Sequence, residues 1–155
     1  MDRNMNFSKL LSVARKGTAL QEIPENERTT ELCKVALLND GRALRYVPQN
    51  KLTRKICELA VEQDVSAIQH VPHNYRTKQL YIKGLQRSPD VLKHIPPEKM
   101  TTEMFQMVAH APWVIRAYLS EHYEECLLNP RVSKWVKENK DNFKSRILAS
   151  TKHEN

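Results

Sequence analysis

The chain has 155 residues and a net charge of +7, with 40% hydrophobic, 28% charged and only 6% aromatic residues. That length is a one-domain prior, and the apolar content is sufficient for a buried core, which argues against disorder throughout. No apolar run approaches the ~18 residues of a transmembrane helix, and the opening MDRNMNFSKLLSVARKG has no continuous apolar stretch of the secretory kind.

Prolines at Pro24, Pro48, Pro72 and Pro96 are evenly spaced by 24 residues, and each follows a β-branched residue: Ile23, Val47, Val71 and Ile95. Apolar pairs precede them in register: Ala19-Leu20, Ala43-Leu44, Ala67-Ile68 and Val91-Leu92. Threonines come after them in register: Thr29, Thr53, Thr77 and Thr101. Self-similarity at one fixed period is the mark of a repeat architecture. The expected fold is all-α, a solenoid-like stack of short two-helix repeats over 5–28, 29–52, 53–76, 77–100 and 101–120.

Each threonine predicts a helix N-cap, because its hydroxyl can accept an orphan N–H of the first turn. After Thr29 comes ELCKVALLN, apolar around most of its circumference, which predicts an inner helix covered on both flanks and leaving mainly Lys34 outward. ICELAV, LYIKGL and MFQMVA are its counterparts. Cys33, Cys57, Tyr81 and Phe105 form one column of packing positions. Ser12, Ala36, Ala60, Gly84 and Val108 form a second, small in four of its five members, where successive helices should approach closely. Gly17 and Gly41 are expected to supply a left-handed turn; Val65 and Pro89 stand in their place later.

The second helix, roughly GRALRYV, should end at the Val-Pro step, since a residue before proline is driven out of the α region. At ~100° per residue, Ala43, Leu44 and Val47 share one side, and Arg42, Arg45 and Tyr46 the other. The register slips at Trp113-Val114-Ile115 and is lost from Glu121. Residues 121–149 read as a helical C-terminal cap, with Ser133 as N-cap of a helix over 133–148, and 150–155 as a frayed polar tail.

The unit built on Val35-Ala36, Asn39-Asp40-Gly41, Ala43-Leu44 and Tyr46-Val47-Pro48 resembles an uncharacterised family of tandem helical repeats, a domain of unknown function associated with bacterial and large-virus proteins. Weaker copies run from Ala60-Val61 to Val71-Pro72 and from Gly84-Leu85 to Ile95-Pro96, so the likeness covers roughly 5–118. It implies a stacked-helix fold and no catalytic residues.

Sites of chemistry are sparse. Neither G-x-G-x-x-G nor G-x-x-x-x-G-K-[ST] occurs, and no nucleophilic triad is legible. His70, His73 and His94 span a proline turn with no cysteine nearby, a poor zinc pattern. His122 and Cys126 would share a helical face, but no third group completes an activated thiol, and the pair reads as a surface coincidence. Three cysteines, an odd count, fit reduced thiols and a cytoplasmic setting.

Charge is the remaining signal. Residues 31–100 carry 12 basic and 7 acidic side chains. Loops between repeats collect Lys51, Arg54, Lys55, Tyr75, Arg76, Lys78 and Lys99; the outward row adds Arg42, Arg45, Tyr46, Gln69, His70, Lys93 and His94. The bland reading of such a surface is solvation. The functional reading is a non-enzymatic adaptor or inhibitor that binds a protein partner with an acidic surface, without cofactor, metal or membrane. Nucleic acid on the same face is the rival, opposed by the scarcity of aromatics and by Glu22, Glu62 and Asp64 in the positive field. An enzyme is the third reading.

Overall fold

The computed structural model describes residues 3–139. They are all helical, in many short segments, with no strand among the described residues. The helices are α1 (Arg3–Arg15), α2 (Thr30–Asn39), α3 (Arg54–Gln63), α4 (Lys78–Arg87), α5 (Thr102–Met107), α6 (Pro112–Leu128) and α7 (Ser133–Glu138). The chain divides into two compact units, Met1–Arg87 and Ser88–Asn155.

In the first unit the threonine caps form as expected. Oγ1 of Thr29, Thr53 and Thr77 accepts from the backbone N–H of Leu32, Ile56 and Leu80. A hydroxyl three residues ahead of an orphan donor needs no tertiary partner, which is why this feature is readable locally. The second segment of each unit is not the expected α-helix. Gly17–Glu22, Gly41–Tyr46 and Val65–His70 are 3₁₀ segments, and after each proline comes a further single 3₁₀ turn: Glu25–Glu27, Gln49–Lys51 and His73–Tyr75. The two-helix unit is thus a three-part unit. Six residues between an extended N-cap and the extended residue before a proline suit the tighter i→i+3 pattern, which closes more turns in the same length. Asp40 and Asp64 begin these segments as extended residues, their carboxylates accepting from Arg42 N–H and Ser66 N–H.

Each of α1 to α3 packs on the next α-helix, while 41–46 lies between 17–22 and 65–70 and rests on both α2 and α3. Leu32, Cys33, Ala36 and Leu37 of α2, and Ile56, Cys57, Ala60 and Val61 of α3, are buried. α2 is flanked by α1 and α3 as expected of an inner helix, but Leu38, expected inside an all-round apolar helix, is 53% exposed on the side those neighbours leave open.

The glycine expectation is also corrected. No glycine among the described residues has positive φ. A Cβ at Gly17 would stand 2.3 Å from Ala36 O, and one at Gly41 2.2 Å from Ala60 O and 2.7 Å from Asp64 N. These glycines are small because the end of the next helix lies against them, not because of a left-handed turn.

In the second unit Thr101 caps α5 through Met104 N–H, and α6 packs on 89–94, on 97–99 and on α7. The Phe105 ring stacks on Trp135 at 4.6 Å and meets Tyr118 edge-on at 6.0 Å. Tyr118 Oη donates to Ile95 O (2.8 Å), and Asn129 Nδ2 to Pro97 O (2.7 Å) and Met100 O (3.0 Å). The boundary drawn at 120–121 falls inside α6, beside its break in helical geometry at His122. Ser133 is not a cap: it is the first residue of α7, preceded by Val132 with no capping side chain. The rest of the expected helix, 140–148, and the polar tail lie outside the described residues.

Candidate functional site

The outward row rests on the 3₁₀ segments. Ala43, Leu44, Ala67 and Ile68 are buried, which turns Arg42, Arg45 and Gln69 to the surface. Arg42 is already engaged. Its Nε and Nη2 each lie 3.0 Å from an Asp40 carboxylate oxygen, and Nε is also 3.5 Å from Asp64 Oδ2. The hydrogen bond from Arg42 is the main reason the Asp40 carboxyl is held below its ordinary value. Arg45 lies over the half-buried Tyr46 ring, 5.6 Å from its centroid. His70 is half-buried, and its Nε2 is buried without a hydrogen-bond partner. Burial first, and then Arg45, lower its pKa. Lys93 is exposed and His94 half-buried on the corresponding segment of the second unit.

Tyr75 Oη donates to Leu52 O (3.0 Å), and Arg76 donates from Nε to Val71 O (2.7 Å) and from Nη2 to Gln69 O (3.1 Å). Both side chains are half-buried and tied to backbone carbonyls. Arg28 likewise donates to Ile23 O (2.7 Å), Gln21 O and, in the next 3₁₀ segment, Tyr46 O (2.7 Å). Composition and charge did not single out Arg28. Its signal is the register it shares with Arg76, two units on, each just before a capping threonine. Lys78 is exposed at the start of α4, and Lys99 is half-buried in the second unit.

Lys51 and Lys55 do come together. With Lys34, Thr30, Asn50, Thr53, Ile56, Glu58, Leu59 and Glu62 they line an open cleft of about 600 Å³ between α2 and α3. Lys34, expected only as the outward residue of α2, becomes a wall of it. Arg54 Nε is 2.9 Å from Glu58 Oε1, and Lys83 Nζ is 2.9 Å from Glu62 Oε1. Arg42, Arg45 and Gln69 are not part of this lining.

The thiols point away from nucleophilic chemistry. Cys33 and Cys57 are fully buried, as their column implied, and burial raises both, Cys57 to about 11. Cys126 is not a surface residue: it is fully buried and raised to about 11, chiefly by burial. His122, four residues earlier, has non-helical backbone angles within α6. In the second unit Pro97, Glu98, His122, Glu125, Leu128, Asn129 and Pro130 line a cleft of about 510 Å³. Among the described residues no three His, Cys, Asp or Glu side chains are grouped to hold a metal ion, and no helix is long and apolar enough to cross a membrane. Compared with protein-family models, with curated proteins and with solved structures, the chain matches none.

Proposed function

We propose that the protein is a non-enzymatic interaction module, an adaptor or inhibitor acting in the cytoplasm, whose 24-residue units form a solenoid-like stack and present basic surface to a protein partner. The observation that carries this reading is the row of Arg42, Arg45 and Gln69, exposed on segments whose own apolar residues are buried against neighbouring helices. A backbone held on a packed scaffold loses little freedom on binding, so the positions from which these side chains project are pre-organised. The basic excess of the middle of the chain, which includes the lysines of the α2–α3 cleft, supplies the preference for an acidic partner.

Capture from native lysate by the immobilised full chain, with and without nuclease, tests it. A protein partner should persist through nuclease and moderate salt, and Arg45→Glu with Gln69→Glu should weaken its capture while far-UV circular dichroism is unchanged. Tight binding of DNA or RNA in physiological salt, with log K falling near −0.9 per phosphate contact against log salt and no nuclease-resistant protein partner, would replace this reading by the nucleic-acid one.

A further inference from the structure

We propose that the cleft between α2 and α3 is a docking groove for a short, extended acidic segment of a protein partner, carrying one apolar side chain among its carboxylates. This rests on the interaction reading above and gives it a location and a ligand chemistry. The charge balance of the groove is the first argument. Its two carboxylates, Glu58 and Glu62, are each held by a cation outside the lining, Arg54 and Lys83. Lys34, Lys51 and Lys55 form no ion pair among the described residues, so three ammonium groups surround the groove with no anion of their own. The first turn of α3 adds to this: it holds Arg54 and Lys55 and no acidic residue, where α2 has Glu31 and α5 has Glu103. Cations at the positive end of a helix raise the local potential further, and an anionic ligand relieves it.

Shape and chemistry choose among anionic ligands. Half-buried Leu59 gives the groove an apolar part, which a carboxylate peptide with one apolar residue uses and a phosphate backbone does not. No aromatic ring lines it, so bases have nothing to stack on. Lys55 and Glu62 are about 10 Å apart along the helix axis at ~1.5 Å per residue, the reach of three to four extended residues at ~3.3 Å each.

Fluorescence anisotropy with the full chain and a labelled Asp-Asp-Leu-Asp-Asp peptide tests the proposal. Saturable binding is expected, weaker by about tenfold or more for the triple variant Lys34→Glu, Lys51→Glu, Lys55→Glu and for an Asn-Asn-Leu-Asn-Asn peptide. Leu59→Ser should also weaken it. The triple glutamine variant, checked for unchanged helicity and urea midpoint, separates lost charge from lost fold. No saturable binding, or equal binding by the triple variant, overturns the groove. If Arg45→Glu with Gln69→Glu abolishes binding and the triple variant does not, the basic-surface reading stands and the groove falls. If oligothymidylate binds more tightly than the peptide and displaces it, the protein-partner reading falls as well.

Discussion

Replacing Gly41 by alanine isolates close approach from backbone conformation. The new Cβ would lie 2.2 Å from Ala60 O, 2.7 Å from Asp64 N and 2.9 Å from Asp64 Cβ, where ordinary contact begins at 3.4 Å. Two of the three obstacles are main-chain atoms of the end of α3, so no side-chain rotation can make room; the helix end must retreat by about 1 Å. Overpacking of this kind costs ~1–3 kcal/mol, and the backbone nature of the clash places Gly41→Ala toward the upper part of that range. For a chain of this size the melting temperature should fall by roughly 2–12 °C. Urea unfolding with unchanged m-value and a lowered midpoint would give the same result at constant temperature. Asparagine separates the two explanations. A left-handed turn tolerates Asn better than Ala, whereas a steric gap makes the larger Asn worse. The equivalent residue one unit later is Val65, and there the small-column position in α4 is Gly84 rather than alanine. Because the nearest obstacle is the Ala60 carbonyl oxygen and not its methyl, Ala60→Gly should not rescue Gly41→Val. An alanine variant within ~0.5 kcal/mol of wild type, or asparagine more stable than alanine, refutes the close-approach argument.

Ala60→Leu adds volume to a fully buried site on α3 and should cost ~1–3 kcal/mol by urea titration; an unchanged midpoint would contradict that burial. His70 is lowered in the fold by burial and by Arg45, so the folded state binds its proton less readily than the unfolded chain, whose imidazole titrates near ~6.5. Its contribution is fully present above that value and is lost as pH falls below it; the urea midpoint should drop from pH 7.5 to 5, and His70→Gln should flatten that part of the profile. Arg76→Ala removes a guanidinium that donates to Val71 O and Gln69 O, leaving carbonyls short of a charged donor, and should destabilise by ~1–3 kcal/mol. Arg45→Ala, at an exposed residue, should leave the urea midpoint within ~0.5 kcal/mol of wild type.

Features set by interactions along a few residues were legible in the sequence. Threonine caps, the proline steps that close each segment and the buried column of Cys33, Cys57, Tyr81 and Phe105 all arise from residue type and spacing. The 3₁₀ geometry was not legible, because periodicity over six residues does not separate it from an α-helix. The site was less legible still. Arg45 and Gln69 are turned outward by local amphipathicity, and they lie where the pattern placed them. Tyr75 and Arg76 have the same surface-like composition as Lys51 and Lys55, yet Arg76 bonds locally to the carbonyls of Val71 and Gln69, and Tyr75 bonds to Leu52 O, which is brought to it only once the chain has packed. Lys34 joins Lys51 and Lys55 because α2 and α3 lie side by side, a juxtaposition of residues far apart in the chain. Local chemistry thus determined the segments and their inward faces, and tertiary packing decided which polar side chains were consumed by backbone acceptors and which remained available to a partner.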